Sequence, residues 1–395
     1  MVAQDGIVEP AAVGRWSGAL EELHGRIAHR FARLEARERV QRYLRGLLGR
    51  VERKNGWQLA EAIGEADPQG VQRLLNAAKW DADLVRDDLR DYVVEHLGDK
   101  DSGVLIVDDT GFLKKGKKSV GVARQYTGTA GDTVNCQVGV FLAYASKKGA
   151  AFVDRVLYLP SEWVQDMDRR AEAGVPEEVR FANKLELAKR MLKRAFEADV
   201  PASWVVADSF YGRSHDFRSW LEKRGCPYAV MVPKTNAVRY RGRRKKIEQL
   251  VERLPEDAWA LVMPAGENSH GRRPWEWACL ELRADPGKGM RHWLLIRRSS
   301  SEDPEDLTFY QAYGPERTSL AAELIGVCQR RWKVEDCFAE AKGEVGIDHY
   351  EVRRWDAWHR YITLCLLAHA FLVVTRLLGA CEEETGGKRG LSIPT

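Results

Sequence analysis

The stretch VLIVDD (Val104 to Asp109) decides the fold, because it is a short run of apolar β-forming residues that ends in two acids. Such a run predicts a strand buried on both faces. A second run, SWVVAD (Ser203 to Asp208), has the same character and also ends in an acid. Two buried strands that each end in a carboxylate predict an α/β domain with acids gathered at one edge of its sheet.

The segments around these two strands extend the pattern. Residues 135–146 and 149–160 are predicted strands joined by short loops, which indicates an antiparallel meander. A helical face follows at Phe181, Leu185, Ala188, Leu192 and Ala195. After the strand that ends at Asp208 come a helix over about 214–223 and a strand over 228–232. Three strands, helix, strand, helix, strand is the order of the ribonuclease-H-like fold.

The rest of the chain is organised around this α/β, ribonuclease-H-like catalytic core. The helical period before the core predicts a helical N-terminal domain, and strand-like segments such as WEWACLELRA predict a β-rich insertion. The predicted units are a helical DNA-binding domain (1–99), the first part of the core (100–233), the insertion (234–316), the second part of the core (317–380) and a flexible tail (381–395).

Charge and cysteine content limit the function classes. The net charge of +4 does not by itself indicate a nucleic-acid partner. Between residues 21 and 54, however, ten Lys and Arg stand against five Asp and Glu. This local excess suits either a helical module that lies against phosphates or a solvated helix face, with equal weight. The seven cysteines are far apart, which predicts reduced thiols in a cytosolic protein.

One apolar stretch, residues 361–378, approaches the length of a membrane span. It contains His369 and Arg376, so we expect a buried core helix and no membrane association. The N-terminus lacks the basic and apolar regions of a signal peptide. These features predict a cytoplasmic protein.

Three acids form the candidate catalytic constellation: Asp108, Asp208 and Glu335. The first and fourth strands of this fold are neighbours, so their ends bring the two aspartates together, and a packed helix supplies Glu335. Hard oxygen ligands suit Mg²⁺, and two such ions ~4 Å apart, with Mn²⁺ able to substitute, support in-line phosphoryl displacement. Taken singly, each aspartate could also be a turn former or helix cap, and the glutamate a solvated residue.

The segment CQRRWKVEDCFAEAK (Cys328 to Lys342) resembles the Tyr-x2-Arg-x3-Glu-x6-Lys signature of a large group of bacterial insertion-sequence transposases of the Asp-Asp-Glu superfamily. Arg331, Glu335 and Lys342 match it, and Cys328 stands where the family usually has Tyr. VDDTG and ADSFYG resemble the family's two Asp elements, and the family's register favours Asp108 over the adjacent Asp109. The resemblance covers roughly residues 100–375.

Helical spacing gives this signature a physical meaning. Positions 331, 335, 338 and 342 fall on one helix face, so Arg331, Glu335 and Lys342 are expected to point into one cleft. The two cations would hold phosphates beside the scissile bond. A surface ion pair of Arg331 with Glu335 is the alternative. Three further acids leave this face and are predicted to be surface residues: Asp336, Glu340 and Glu344.

Basic residues outside the signature are further candidate DNA contacts. A loop after the first strand places a basic run close to the first acid and is a candidate phosphate cradle, with a solvated hairpin tip as the alternative. The densest basic run is RYRGRRKK in the insertion. The candidates are Lys114, Lys115 and Arg124 in the first region, Arg243, Arg244, Lys245 and Lys246 in the second, and Arg353 and Arg354 after the glutamate helix.

The resemblance implies cut-and-paste transposition on double-stranded DNA, namely the terminal inverted repeats of an element and a target. A homodimer is expected because two ends must be brought together, and the protein would work at the nucleoid. Two alternatives stay open. One is a nuclease of the same fold without strand transfer, and the other is a domesticated DNA-binding protein without catalysis.

Overall fold

The structure, a computed structural model, describes residues 10–262, 274–285, 289–299, 306–319 and 323–387. The chain begins with a group of amphipathic helices, as its periodicity predicts. Asn55 begins the third helix and Asp81 the fifth, each by accepting backbone N–H groups with its side chain. The five helices are α1 (Pro10–Ala28), α2 (Leu34–Leu48), α3 (Gly56–Ala62), α4 (Gln69–Asn76) and α5 (Ala82–Leu97).

The central sheet has the predicted ribonuclease-H-like topology. Its first six strands are β1 (Val104–Leu113), β2 (Ala123–Thr127), β3 (Asp132–Ser146), β4 (Gly149–Leu157), β5 (Trp204–Ala207) and β6 (Tyr228–Val232). Strand β1 lies in the middle, antiparallel to β3 and parallel to β5, and β6 continues the parallel part. The order β4, β3, β1, β5, β6 therefore confirms the fold class and the meander of the first three core strands.

One detail of the first strand was predicted wrongly. Strand β1 does not end at Asp108 and Asp109 but continues to Leu113, paired with β3 throughout. Thr110 and the buried Phe112 favour this extension, because β-branched and aromatic residues pack well on a sheet. Strand β2 was also not predicted; it pairs with the first residues of β3.

Five helices connect the later strands of the core, three between β4 and β5 and two between β5 and β6. They are α6 (Ser161–Gln165), α7 (Met167–Ala173), α8 (Lys184–Glu197), α9 (Ser209–Gly212) and α10 (His215–Glu222). A capping box of Asn183 and Glu186 begins α8, and its apolar face is buried as predicted, apart from Phe181, which precedes the helix and is exposed. The helix predicted over 214–223 is confirmed as α10.

The insertion is β-rich, as predicted, and joins the core sheet. Its elements are β7 (Ala237–Tyr240), β8 (Arg243–Lys246), α11 (Ile247–Val251), a 3-10 turn (Glu256–Ala258), β9 (Ala260–Val262), β10 (Trp275–Asp285), β11 (Met290–Ser299) and β12 (Leu307–Pro315). Strand β12, which the sequence did not reveal, pairs antiparallel with β6. The insertion therefore extends the catalytic sheet, and among its described strands β7 and β8 form a separate hairpin.

Three helices follow the insertion: α12 (Ile325–Arg330), α13 (Lys333–Gly343) and α14 (Trp355–Gly387). The part of α14 from Trp355 to Ala380 is long and apolar enough to cross a membrane, but 67% of its most apolar window is buried inside the protein. The predicted core helix is thus confirmed. Its backbone stays helical to Gly387, within the expected flexible tail, because three consecutive glutamates are good helix formers. Residues 388–395 lie outside the described residues.

The N-terminal helices share one hydrophobic core with the catalytic sheet and α14. Buried polar links strengthen the junction. The ammonium of Lys54 donates to the carbonyl of Glu344, and the hydroxyl of Tyr361 donates to the carbonyl of Lys54. Arg360 of α14 donates to the carbonyls of Leu75 and Trp80. Residues 10–99 are therefore built into the core rather than tethered to it. The six cysteines whose side chains are described are free thiols.

Candidate active site

Asp108 and Asp208 lie side by side where two parallel strands separate. The pairing of β1 with β5 runs from Val104 and Trp204 to Val107 and Ala207, so the next residue on each strand is the acid. Strand β5 ends there, while β1 continues along β3. The two carboxylates therefore stand at the carboxyl end of β5, where α/β sheets open a crevice.

Asp208 is fixed by the helix that it begins. Its Oδ1 accepts hydrogen bonds from the backbone N–H of Phe210 (2.9 Å) and of Tyr211 (3.3 Å), as an N-cap of α9. Its other oxygen, Oδ2, has no hydrogen bond to any described residue. Burial, and then the charge of Asp109, raises the pKa of the Asp208 carboxyl. Oδ1 of Asp208 is thus fixed by the backbone, and Oδ2 is available to bind a ligand.

Asp108 carries negative charge with little compensation. Its Oδ1 accepts the backbone N–H of Asp109 (2.7 Å), and the nearest cation, Nη1 of Arg331, is 3.9 Å from its Oδ2. Burial, and then the charges of Asp208 and Asp109, raises the pKa of Asp108 to about 8. Two adjacent, half-buried carboxylates with raised pKa values form a site that favours a bound cation.

Asp109 points to the opposite face of β1, since successive strand residues alternate. There it accepts a hydrogen bond from Nζ of Lys184 (2.8 Å) and one from the hydroxyl of Tyr211 (3.1 Å). Its charge is neutralised inside the protein. The geometry thus distinguishes the two candidates: Asp108 faces the glutamate helix, and Asp109 faces α8.

Arg331 lies between Asp108 and Glu335. Its Nη2 donates to Oε1 of Glu335 (2.7 Å), while its Nη1 approaches Asp108, and the residue is only 5% exposed. The single continuous helix expected for the signature is interrupted, because Arg331 and Trp332 form a turn between α12 and α13. The turn still directs Arg331 toward the first strand.

Lys342 lies further along α13 and contacts β1 next to this cluster. Its Nζ donates to Oγ1 of Thr110 (3.3 Å), and Thr110 is two residues from Asp108, on the same face of β1. Helix α13 is held against the sheet by Phe338, which packs on Phe141 at a ring distance of 5.3 Å. The structure therefore brings Arg331, Glu335 and Lys342 to the cleft that contains Asp108.

Cys328, which replaces the family's tyrosine, does not reach this cleft. It is fully buried on α12, and burial raises the pKa of its thiol, so it stays protonated. Its role is core packing.

The donor set fits a divalent metal ion in part. The oxygen ligands of Asp108 and Asp208 are of the hard type that Mg²⁺ and Mn²⁺ prefer, and their raised pKa values indicate that a cation is favoured there. Among the residues that the structure describes, no group of three potential metal-ligating side chains is found. Glu335 is instead paired with Arg331.

Lys114, predicted to contact DNA, is instead a structural residue. Its Nζ donates to the carbonyl of Tyr350 (3.0 Å) and lies 3.5 Å from the centre of the Tyr350 ring. Burial lowers the pKa of Lys114 to about 8. Because β1 continues past the acids, this loop is six residues from Asp108, or ~20 Å along an extended strand. The sequence predicted that this loop would lie beside the acids, and that prediction was wrong.

The other predicted contacts lie on the surface at three places. Lys115 and Arg124 are exposed around β2, and the second half of the insertion's basic run forms the hairpin strand β8. Positive φ values at Arg241 and Gly242 make the tight hairpin turn. Arg353 and Arg354 are exposed between α13 and α14. On β8, Arg243, Arg244 and Lys246 are exposed, and Lys245 is half-buried.

Two residues that shape the site were not singled out from the sequence, Lys184 and Tyr211. Tyr211 follows Asp208 by three residues, within the quoted ADSFYG segment, so its place beside the acids could have been anticipated. Lys184 is 75 residues from its partner Asp109, and no local pattern identifies such a pair.

A ribonuclease-H-like sheet with two half-buried acids at its opening, faced by a helix that carries Glu335 and Lys342 and by the turn before it that carries Arg331, defines a phosphoryl-transfer nuclease. Residues 26–252 match the family described as DDE superfamily endonuclease, and residues 177–371 match the transposase DDE domain. The chain belongs to the DDE superfamily of endonucleases. Members of this superfamily generally use divalent metal ions.

A similar protein carries a more specific description. The probable transposase for insertion sequence element IS701 of Microchaete diplosiphon is 29% identical to this chain over 189 residues. The match covers 47% of this chain and 46% of that protein. The chain therefore spans about half the length of the curated relative that it matches.

Proposed function

We propose that this protein is a DNA transposase that cuts double-stranded DNA at the ends of an insertion sequence and joins the ends to target DNA. Asp108, Asp208 and Glu335 are its catalytic, metal-binding carboxylates in this proposal. The observation that supports it most is the half-buried pair Asp108 and Asp208, with raised pKa values and with Arg331 opposite, in the turn before α13. The match to the transposase DDE domain and the similar IS701 protein add to it.

The metal would be Mg²⁺ in the cell, with Mn²⁺ able to substitute. Asp108 and Asp208 would hold it, and Glu335 would join them when Arg331 exchanges its carboxylate partner for a phosphate. Two such ions, when bound, activate the attacking oxygen and stabilise the leaving oxygen. Arg331 and Lys342 are placed to bind the non-bridging oxygens of the scissile phosphate and so fix its position.

Two phosphoryl transfers follow from this arrangement. In the first, the oxygen of water bonds to phosphorus, the bond to the 3′-oxygen breaks, and that oxygen leaves with a proton as a free hydroxyl. In the second, this 3′-hydroxyl bonds to a phosphorus of target DNA and displaces a target 3′-oxygen. The same carboxylates serve both steps, because each step is an in-line displacement at a phosphodiester.

The remaining basic residues are proposed to hold DNA through its backbone. Lys115 and Arg124 around β2, Arg353 and Arg354 before α14, and the basic hairpin are exposed and would contact phosphates. Joining of two ends requires that two copies meet, so a homodimer in the DNA complex is part of the proposal. The protein would act in the cytoplasm, at the nucleoid. The hairpin contacts are Arg243, Arg244, Lys245 and Lys246.

The test is incubation of the purified protein with Mg²⁺, an end-labelled duplex that carries the element terminus, and a supercoiled plasmid. Cleavage and joining are expected for the parent and are expected to be lost in Asp208→Ala and Glu335→Ala. Asp216→Ala is the matched control, because Asp216 is an exposed aspartate on α10. Cleavage without joining would leave a nuclease of the same fold, and no chemistry in the parent would contradict the proposal.

A second candidate is a DNA-binding protein without catalysis. The pairing of Glu335 with Arg331 favours it. Its signature in the same assay would be binding to the labelled duplex that is unchanged by a metal chelator, with no nicks in the parent.

A further inference from the structure

Helix α4 presents a polar face of unusual composition. Its residues at positions 69, 72, 73 and 76 are all exposed and share one side of the helix, because they follow the spacing i, i+3, i+4, i+7. They are Gln69, Gln72, Arg73 and Asn76. The opposite side buries Val71, Leu74 and Leu75 in the core. An ordinary solvated face carries mixed Glu and Lys, whereas this one has three amides, one guanidinium and no acid.

On this face, Asn76 donates through its Nδ2 to the backbone carbonyl of Gln72 (2.9 Å), and the other three side chains are unused within the described residues. Arg73 forms no ion pair with any described residue, and the side chains of Gln69 and Gln72 have no hydrogen bond in the part of the chain that the structure describes. The arginines of the basic stretch in α1 and α2 behave differently, because several are held by acids of the same helical region. The pairs are Arg26 with Glu95, Arg30 with Asp88 and Arg39 with Glu65.

Helix α4 forms one wall of a cleft of about 370 Å³. The start of α3 adds Asn55 and the 66% exposed Trp57. The other wall is the segment before α14, which contributes Arg353 and Arg354 and a single carboxylate, Glu351. The cleft therefore combines amide groups and a net positive charge, which is the surface chemistry of proteins that bind nucleic acid.

This cleft lies beside the loop that follows β1. The carbonyl of Arg353 accepts a hydrogen bond from the N–H of Val120, and Lys114 is bound to Tyr350, so the cleft adjoins the loop after β1. That loop is ~20 Å from Asp108 along the strand, the length of about six base pairs. A duplex bound at the acids is therefore long enough to reach this loop, which adjoins the cleft at α4.

We propose that α4 enters the major groove of the terminal repeat and reads base edges with Gln72, Arg73 and Asn76. Glutamine and asparagine pair in a bidentate manner with adenine, and arginine pairs with guanine at O6 and N7. Arg353 and Arg354 bind phosphates and set the position of the helix in the groove. This inference rests on the proposed function for the identity of the DNA, and it assigns the sequence readout to one helix.

The test is a selection of duplexes from a random library by the full-length protein. The parent is expected to enrich one motif. Gln72→Ala and Asn76→Ala are each expected to reduce the preference for adenine at one position of the motif by about tenfold to a hundredfold. Arg73→Lys keeps the charge but loses the bidentate fork, so it is expected to reduce the preference for guanine at one position by the same factor. Arg33→Lys is the matched control on the exposed start of α2 and is expected to leave the motif unchanged.

Two further measurements complete the test. Arg353→Ala is expected to weaken binding equally to the selected duplex and to a scrambled one. Methylation of guanine N7 in the selected duplex is expected to block binding, since N7 lies in the major groove. The inference is overturned if the parent enriches no motif, if all α4 variants recover the parent's motif, or if N7 methylation has no effect.

The proposed function is separated from this inference by nicking of a supercoiled plasmid with Mg²⁺. The control variant Arg33→Lys is expected to retain nicking, and Asp208→Ala to lose it. A parent that enriches a motif but does not nick would contradict the transposase and leave the readout by α4 intact. A parent that nicks but enriches no motif would contradict only the readout.

Discussion

Asp108 and Asp109 are consecutive residues on one strand, but their carboxylates lie in different environments. Asp109 faces Lys184 of α8 and Tyr211 of α9, which bind its carboxylate. Asp108 faces α13, where its nearest cation is 3.9 Å away and already bound to Glu335. One face of β1 therefore has its charge neutralised, and the other has negative charge left without a close partner.

Asp109 therefore stabilises the fold through its ion pair, whereas Asp108 is available to bind a ligand. A half-buried ion pair contributes to the fold because both partners are satisfied. Burial, and then the charges of Asp208 and Asp109, raises the pKa of Asp108 to about 8, so the ionised carboxylate destabilises the folded state when no cation is bound. Sites that bind charged ligands commonly carry such a cost in stability. The comparison predicts opposite effects of substitutions on the two faces.

The largest expected effect is on the chemistry. Asp108→Asn should reduce DNA cleavage by at least about 1,000-fold, because a group that holds the reacting atoms is lost. Asp109→Asn should reduce cleavage far less per folded molecule, because Asp109 contacts Lys184 rather than the cleft. Single-turnover cleavage of a labelled terminus measures both. Equal losses in the two variants would remove the distinction between the faces.

The next effect concerns the stability of the neutralised face. Lys184→Met should lower the free energy of unfolding by about 3 kcal/mol, because it leaves the Asp109 carboxylate partly buried without a cation. Lys193→Met on the exposed side of α8 is the matched control and should change it by less than about 0.5 kcal/mol. Urea titration at pH 7 gives both values.

A double variant checks the cause of this loss. Adding Asp109→Asn to Lys184→Met should recover part of the stability, since the uncompensated charge is then removed. If the double variant were less stable than either single variant, loss of packing rather than of charge would explain the result.

The third substitution, Asp108→Asn, should raise the stability of the fold, whereas Lys184→Met should lower it. The pKa of Asp108 is raised from its ordinary 3.8 to about 8, so without metal its contribution to stability falls as the pH rises from about 4 to 8. Asp108→Asn should therefore be more stable than the parent at pH 8 by about 2 kcal/mol, and the two should converge near pH 4. Thermal unfolding in chelator across this range measures the difference.

Divalent metal should reduce this gap. Binding to the folded state stabilises the parent, and the asparagine variant, which lacks a ligand, gains less. A parent whose unfolding temperature is the same with millimolar Mg²⁺ or Mn²⁺ as in chelator would contradict a metal site at Asp108.

The sequence predicted the parts of this site that depend on local pattern. The buried strand segments that lead to Asp108 and Asp208 follow from runs of β-forming residues, and the proximity of the two acids follows from strand order in the fold. The extension of β1 to Leu113 was missed because the acids break the apolar run, while the partner strand β3 continues to pair with them. That one error also placed the basic loop too close to the acids.

Features that depend on distant contacts could not be read from the chain. The basic stretch of α1 and α2 suggested a phosphate-binding surface, but Asp88 and Glu95, on a helix more than 50 residues away, pair with two of its arginines. Lys114 was predicted to be exposed, and a ring from the segment before α14 covers it. In both cases long-range packing decides which charges remain available to DNA.

Glu340 extends the comparison of paired and unpaired acids to a third case, with the smallest expected effect. It was predicted to lie on the surface, yet it joins α13 to α14: His369 lies 3.3 Å and Arg376 2.9 Å from its carboxylate oxygens. The hydrogen bond from His369, and then that from Arg376, lowers the pKa of Glu340 from 4.5 to about 2. It therefore belongs with Asp109, not with Asp108.

The sign of its pH dependence should accordingly be opposite to that of Asp108. A lowered pKa contributes stability that is present above about pH 4.5 and is lost as the pH falls toward 2. Because the group is one-third exposed, Glu340→Gln should lower the free energy of unfolding by only about 1 kcal/mol at pH 7, and the difference should close below pH 4.5. Glu344→Gln, on the exposed end of the helix, is the control. A Glu340→Gln difference that stays constant down to pH 3 would mean that the glutamate acts through packing and not through its charge.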